Sequence, residues 1–361
     1  VRDDSDPTDR CNYIIDCNAY RLVGEEKIGV SNLRAELRLD PCIAYWVGTH
    51  ARMCRRITIN GDMYCGGILG TAATINGDVF ALSSISGPGI EGKSNQYATE
   101  APVSWPGIVT EDYYPSYYIV ASSYSSENIE SSIHSSGTYS ASGSNPGGVR
   151  YRVGDLALTG GTDITGTLIV DGNLRVSGVN SVTAVKNFPA IMVIGDLVIE
   201  NGGELVVNGL IMVEQGLKIS ADGGRLDVAG GLFTQKGISE IVLDSSGNSH
   251  DGVMGADIAW QPTLGQTGGA LECDGANDEI IDMSAQDYLN GLSAITVSIW
   301  VKSDVVAQDR GIMFSSSSTG ADTELGIRYD QTGTNSGKSG VITASLHATS
   351  GSTLIESAKN V

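Results

Sequence analysis

Basic side chains, histidine and long apolar runs are scarce in this sequence, and each scarcity argues against a class of function. The chain has 22 Lys and Arg against 42 Asp and Glu, which gives a formal net charge of −20. An acidic surface repels nucleic acid and anionic lipid, so neither nucleic acid nor a membrane contact within the chain is expected as a partner. The four histidines lie in unrelated contexts, whereas zinc needs three or four converging His or Cys ligands.

Motifs of nucleotide binding and of nucleophilic catalysis are missing as well. The Gly-rich turns precede predicted strands rather than helices, which is the wrong context for a P-loop or a dinucleotide fingerprint. No Gly-x-Ser-x-Gly occurs, and no Cys-x-x-Cys pair supports a zinc ribbon or c-type haem. These absences favour a binding or structural protein over an enzyme.

One short phrase recurs between Gly154 and Gly237: glycine, then Asp or Asn, then apolar residues at every second position. Alternating Leu, Ile and Val between Gly-Asp and Gly-Asn turns predict short strands that recur about every 15 to 25 residues. A single such unit cannot bury its apolar row, whereas stacked units can. The repeat therefore predicts a β-helix, a solenoid of stacked turns.

The predicted fold class is all-β, in three parts. Residues 1–56 form a Cys-rich N-terminal β segment, in which residues 19–40 split into two strands around a turn. In the second of these strands Leu33 and the following apolar residues alternate with charged residues, which predicts a half-buried antiparallel strand. Residues 57–237 form the β-helix, with an irregular insertion at about 87–150 that is rich in Ser and contains Pro. Asp62 and Asp78 mark neighbouring turns before that insertion. Residues 238–361 form a jelly-roll β-sandwich.

Five of the six cysteines fall within the first 65 residues. Such clustering is typical of disulfide bonds that staple a small segment in an oxidising compartment. The pairing does not follow from the sequence, and isolated buried thiols are the alternative. The disulfide candidates are Cys11, Cys17, Cys42, Cys54 and Cys65.

The third part resembles the laminin-G-like or concanavalin A-like jelly roll over about residues 240–361. The resemblance rests on an Asp-Ser-Ser-Gly-Asn opening, a Gly-Gly-Ala-Leu strand, an Asp-Gly pair and an Ile-Trp-Val strand. Cys273 stands where that family has an aromatic residue. The closing strands of the sandwich do not occur before Val361, so the sandwich is expected to be incomplete at this end. The four motifs lie at Asp244–Asn248, Gly268–Leu271, Asp274–Gly275 and Ser298–Val301.

In the resembled family, a loop near the first strand often holds calcium, which implies a small metal site here. Asp244, Asn248 and Asp251 would supply hard oxygen ligands from a loop that contains glycine. The alternative is an Asx-rich turn that binds nothing. Calcium is the only cofactor that the sequence suggests.

The β-helix together with residues 1–50 also resembles bacterial surface proteins of the pilus-assembly, minor-pilin-like type. The segments that carry this resemblance are TINGDVFA, APVSWPGI and VKNFPAIMVIGDLVI. That resemblance implies an extracellular or cell-surface location in bacteria and self-association or assembly with other surface proteins.

A β-helix is also the fold of pectate lyases and related polysaccharide-degrading enzymes, which need clustered carboxylates with a nearby base or two opposed carboxyl groups. Most of the available Asp residues follow Gly at turns, where Asp hydrogen-bonds its own backbone, so a structural role is favoured. The candidates for such chemistry are Asp155, Asp171, Asp196, Arg175 and Lys186.

The sequence thus predicts an extracellular structural protein without enzyme activity, a subunit of a surface filament or a stalk-like adhesin. Its jelly roll would bind glycans or proteins. A secreted polysaccharide-degrading enzyme with a carbohydrate-binding module is the alternative.

Overall fold

The computed structural model is all-β, with no helix in the residues that it describes. It divides into two compact units, Val1–Asn290 and Gly291–Val361. The described residues are 12–24, 26–38, 43–53, 56–71, 73–86, 96–98, 125–186, 188–244, 250–255, 258–266, 269–273, 281–282, 296–302, 310–316, 323–330, 332, 339–348 and 351–356.

The first unit contains a parallel β-solenoid of about 7 turns, which confirms the β-helix that the repeat predicted. A complete turn carries one short strand on each of three faces. The first face is a ten-stranded sheet. In chain order its strands are β3 (Ile43–Val47), β6 (Asp62–Cys65), β9 (Val79–Ala81), β11 (Gln96–Ala98), β12 (Glu127–Asn128), β15 (Val149–Val153), β18 (Thr167–Asp171), β21 (Ile191–Val193), β24 (Ile211–Val213) and β27 (Leu232–Thr234).

The second and third faces are each divided between two sheets. The second face has β4 (Ala51–Met53), β7 (Leu69–Thr71) and β10 (Ile85–Ser86), then β13 (Ile133–His134), β16 (Leu156–Leu158), β19 (Leu174–Val176), β22 (Leu197–Ile199), β25 (Leu217–Ser220) and β28 (Ile238–Val242). The third face has β5 (Thr58–Ile59) and β8 (Thr74–Ile75), then β14 (Gly137–Tyr139), β17 (Thr162–Thr165), β20 (Val179–Thr183), β23 (Glu204–Asn208) and β26 (Arg225–Ala229).

The turns are not stacked in chain order. On the first face β12 lies at one end, followed by β15, β18, β21, β24 and β27, and β3 then pairs with β27 before β6, β9 and β11 complete the sheet. The N-terminal turns therefore extend the C-terminal end of the main stack. Nine strand spacings of roughly 4.8 Å separate β11 from β12, so Ala98 and Glu127 lie about 43 Å apart along the stack.

This order differs from the predicted division of the chain. The solenoid already begins at β3, within the segment assigned to residues 1–56. Strands β12 to β14 form its end turn, within the segment assigned to an irregular insertion. These strands are two or three residues long in a Ser-rich stretch, and so short a pattern carries little periodicity.

The core is built of inward columns, each with one apolar side chain per turn. One column on the second face contains Leu156, Leu174, Leu197 and Leu217, all at most 1% exposed. Because neighbouring turns pair in register, each side chain packs on its equivalent in the next turn. Each such leucine contributes about 1.5–3 kcal/mol when it is removed from water.

The junction between β27 and β3 continues the columns without a break. Leu232 pairs with Tyr45, and the Tyr45 hydroxyl lies 3.1 Å from Oγ1 of Thr234. Burial and the neighbouring Cys65 raise the pKa of Tyr45 far above its usual range, whereas the Thr234 contact lowers it. Trp46 stacks between Phe233 and Tyr64, with ring centroids 6.3 Å apart on both sides.

Ahead of the solenoid, β1 (Asn12–Val23) and β2 (Glu26–Arg38) form an antiparallel hairpin, as predicted from the two strands around a turn. One half-buried side was expected from the alternation of Leu33 with charged residues. Leu33 is instead 67% exposed, and Tyr20, Leu22 and Ile28 are exposed as well.

After β28 the chain forms β29 (Gly252–Met254), which pairs antiparallel with β28, and then β30 (Ala259–Gln261), β31 (Ala270–Glu272) and β32 (Ile281–Asp282). The second unit contains the antiparallel sheet β33 (Arg310–Ser316), β34 (Thr323–Asp330), β35 (Val341–Ala348) and β36 (Gly351–Glu356). The strand expected at Ser298–Val301 is not formed, and Trp300 there is 78% exposed.

Candidate functional site

The Asp and Asn residues of the repeated phrase form a hydrogen-bonded ladder along one corner of the solenoid. Oδ1 of Asp155 accepts the backbone N–H of Asn173 at 2.8 Å, and Oδ1 of Asn173 accepts the N–H of Asp196 at 2.9 Å. Oδ1 of Asp196 in turn accepts the N–H of Gly216 at 2.9 Å. The phrase recurs because each of these side chains satisfies a donor of the next turn.

Four of the residues considered for polysaccharide cleavage each have a hydrogen-bonding or ionic partner within the protein. Asp155 and Asp196 belong to the corner ladder, and a carboxylate oxygen of Asp171 accepts the hydroxyl of Tyr151 at 3.3 Å. Arg175 pairs with Glu200 at 2.6 Å. The carboxylates of the ladder are thus held by donors of the protein itself, which is the turn role that the Gly-Asp pattern favours.

The loop predicted to hold calcium is closed by its own backbone. Oδ1 of Asp251 accepts the N–H of Asp244 at 2.8 Å, and Oδ2 of Asp244 accepts the N–H of His250 at 3.1 Å. Asn248 lies outside the described residues. Within the described chain no group of three or more His, Cys, Asp or Glu is placed to hold a metal ion, so calcium here stays a prediction.

Two of the five disulfide candidates lie in the described residues, and both are free thiols. Cys17 is exposed on the hairpin, while Cys65 is an inward core residue of β6. The Cys65 thiol donates to the carbonyl oxygen of Thr49, and burial raises its pKa. Cys65 therefore fits the alternative of an isolated buried thiol. Cys11, Cys42 and Cys54 lie outside the described residues.

A cluster of ionisable side chains lines a cavity of about 240 Å³ at the β12 end of the stack. Nε2 of His134 lies 2.6 Å from the Tyr139 hydroxyl, and the Arg150 guanidinium covers the Tyr139 ring and pairs with Glu127. Burial, with a smaller effect of the Arg150 charge, lowers the pKa of His134. The groups are paired with one another, and the positive charge is matched.

A second cavity lies on the third face, in the turn formed by β27 and β28. Among the described residues this turn has no third strand, because β28 ends at Val242 and the chain next pairs antiparallel with it as β29. Strands β26 and β5, which stand on either side of the missing strand, each end their sheet. We call the cavity between them the wall gap; its volume is about 470 Å³.

Residues of several inward columns line the wall gap, and Leu226 and Val228 among them are half-buried. Charged side chains line it as well, among them Arg56. The guanidinium of Arg56 donates to the carbonyl oxygens of Ala221 (2.7 Å) and Gly224 (3.3 Å) and pairs with Glu240. The apolar lining comprises Ala44, Tyr45, Ile57, Ile59, Leu217, Ile219, Leu226, Val228, Leu232 and Ile238.

Neither the wall gap nor the His134 cluster has a direct signal in the sequence. Both depend on which turns become neighbours, and the order of the stack is not visible in the repeat. One signal for the gap was present: the residues after Val242 read Leu-Asp-Ser-Ser-Gly-Asn-Ser-His-Asp, which lacks the apolar alternation of a third-face strand.

Comparison of the chain with protein-family models, with curated proteins and with solved structures finds no match. In the described residues no helix is long and apolar enough to cross a membrane. The fold therefore defines the class to which the chain belongs, an all-β solenoid protein, and its function has to be inferred from its own geometry.

Proposed function

We propose that this protein is an extracellular structural rod of a bacterial surface, either a subunit of a filament or the stalk of an adhesin. The observation that supports this proposal best is the unbroken first face. Ten strands pair in parallel from β12 to β11, and inward residues of this face such as Val47, Leu168 and Ile211 are fully buried. Such a stack is stiff because every turn is bonded to both of its neighbours.

The polar residues of the solenoid favour the same function. Carboxylates that a lyase or a glycosidase would present to a sugar are engaged in the corner ladder between Asp155 and Gly216. Residues that satisfy backbone donors stabilise the stack and leave little freedom for proton transfer. We therefore assign these side chains to the mechanical role of the rod.

Self-association is the partner interaction that we propose for the rod. A stack of parallel strands ends in unpaired backbone groups, which pair with another chain unless they are covered. Residues 238–361 would present the binding face of the protein to glycans or to other surface proteins, with calcium at the Asp244 loop.

Immunogold electron microscopy on the native cells tests the proposal. An antibody against the solenoid should label intact cells, on filaments or on short projections. Labelling that requires cell lysis would contradict a surface location. Polysaccharide breakdown by the purified protein, measured as new reducing ends, would contradict the structural assignment and favour the enzyme alternative.

A further inference from the structure

The wall gap has the dimensions of one β-strand. Turns of the solenoid are spaced at about 4.8 Å, so the absence of one strand leaves β26 and β5 roughly 9.6 Å apart, each with an unpaired edge. An extended segment placed between them would pair on both sides and would run parallel to both. It would also cover the half-buried side chains of Leu226 and Val228.

The connectivity of the solenoid identifies which segment belongs in this position. A third-face strand leads directly into the first-face strand of the next turn, as β26 leads into β27 and β5 leads into β6. The first-face strand that follows the wall gap is β3. The strand that fits the gap is therefore the one that precedes β3 in the chain.

The residues before β3 carry the sequence of a third-face strand. Residues 36–40 read Glu-Leu-Arg-Leu-Asp, where β23 reads Glu-Leu-Val-Val-Asn and β26 reads Arg-Leu-Asp-Val-Ala. Aligned in this register, Leu37 corresponds to Leu226 and Leu39 to Val228. We propose that the wall gap is a strand-binding site and that residues 36–40 of the same chain are its ligand.

Charge favours the same register. Arg225 of β26 lies 3.5 Å from Glu204 of β23, so a column of alternating charge is already present on the outer side. The next turn would place Glu36 beside Arg225, and Arg38 beside Asp227. Opposite charges on adjacent strands stabilise the pairing.

The site is open because the hairpin competes for the same residues. In the structure Glu36 pairs with Ile14, Leu37 with Tyr13 and Arg38 with Asn12 at the open end of the β1–β2 hairpin. Insertion breaks this end of the hairpin and leaves its turn end paired. The segment thus acts as a strap that closes the wall of the solenoid when it leaves β1.

Two pairs of cysteines distinguish the two positions of the strap. Arg38→Cys with Asp227→Cys reports the inserted position, and Arg38→Cys with Asn12→Cys reports the hairpin. A short bifunctional thiol reagent is added to the folded full chain, and the linked peptides are identified by mass spectrometry. Both variants contain Arg38→Cys, so the introduced cysteine at position 38 can react with the same native thiols in each, and the two variants control for each other.

The proposal predicts a link between positions 38 and 227 within one chain. A link to position 12 alone would overturn it. A link to position 227 that runs between two chains, seen as a covalent dimer, would also overturn it, because the ligand would then be a second copy. Circular dichroism of each variant confirms that the solenoid is folded before the reagent is added.

A charge exchange, measured with the same reagent, tests the proposed register. Arg225→Glu, added to the 38–227 pair, should lower the yield of the link several-fold because it places like charges together. Glu36→Arg, added to that variant, should restore it. An unchanged yield in Arg225→Glu would contradict the proposed register.

Discussion

The close packing of backbone at the corners of the solenoid predicts that a Gly-to-Ala substitution there strongly destabilises the protein. A Cβ added to Gly172 would lie 2.5 Å from the carbonyl carbon of Gly154 and 2.7 Å from the backbone nitrogen of Asp155. Both contacts are to backbone atoms of the adjacent turn, which no rotamer change can move. Relief to an ordinary contact distance requires the two turns to separate locally by about 1 Å.

That separation would disrupt the bonds that flank the corner. The N–H of Gly154 bonds the carbonyl oxygen of Asp171 at 2.7 Å, and the N–H of Leu156 bonds that of Asn173 at 2.9 Å. If the two turns separate by about 1 Å, both N···O distances exceed the usual range of a hydrogen bond. Two bonds at about 1 kcal/mol each, with about 1–3 kcal/mol of packing strain, predict that Gly172→Ala lowers the free energy of unfolding by roughly 3–5 kcal/mol.

Urea denaturation followed by far-UV circular dichroism measures this difference, with two glycines as controls. Gly143 has no atom within 4 Å of an added Cβ, so Gly143→Ala should fall within about 0.5 kcal/mol of the parent protein. Gly154 also has open space but a φ of +81°, so Gly154→Ala isolates backbone strain of about 1–2 kcal/mol. If Gly172→Ala unfolds at the same urea concentration as Gly143→Ala, the argument from close packing of turns is refuted.

Two further predictions concern polar groups. Asp196→Ala removes the acceptor of the Gly216 N–H and the ionic partner of Lys218, so it should lower the free energy of unfolding by about 1–2 kcal/mol. Asp196→Asn should lower it much less. The same urea titrations compare the two variants. Thiol labelling with peptide mapping should modify Cys17 at once and Cys65 only in denaturant. Because burial raises the Cys65 pKa, its contribution to stability is complete below the ordinary thiol pKa and declines as the pH rises above it; rapid native labelling of Cys65 would contradict both.

The sequence predicts the solenoid because its period is local. The alternation Leu156, Leu158 and the turn at Gly172–Asn173 lie within one turn, and the next turn repeats them. A pattern that is complete within about 20 residues needs no knowledge of the rest of the chain. The same holds for Asp62 and Asp78, whose predicted adjacency is confirmed by the bond from the Asp78 N–H to Oδ1 of Asp62 at 2.9 Å.

The candidate sites were less predictable because they depend on which turns meet. Arg56 and Glu240 are 184 residues apart, and Tyr45 and Thr234 are 189 apart, yet both pairs lie at the junction of β27 with β3. Nothing in the repeat indicates that junction, because any turn can stack on any other with the same period. The burial of the hairpin differs from the prediction for a related reason. The alternation around Leu33 predicts a strand, but it does not say which surface would cover the apolar side of that strand.

The order of the stack has a consequence for how the solenoid forms. The turns from β12 to β28 are contiguous in sequence, so each can add to the one before it with short loop closure. In the described residues, the turns from β3 to β11 meet the main stack at its last turn, through β27 and β28, although they precede that stack in the chain. We therefore expect them to dock after the last turn of the main stack has formed. In the proposed strand-binding site the strap would insert only after β3 has docked, because the strap precedes β3 in the chain and β3 lies next to β27.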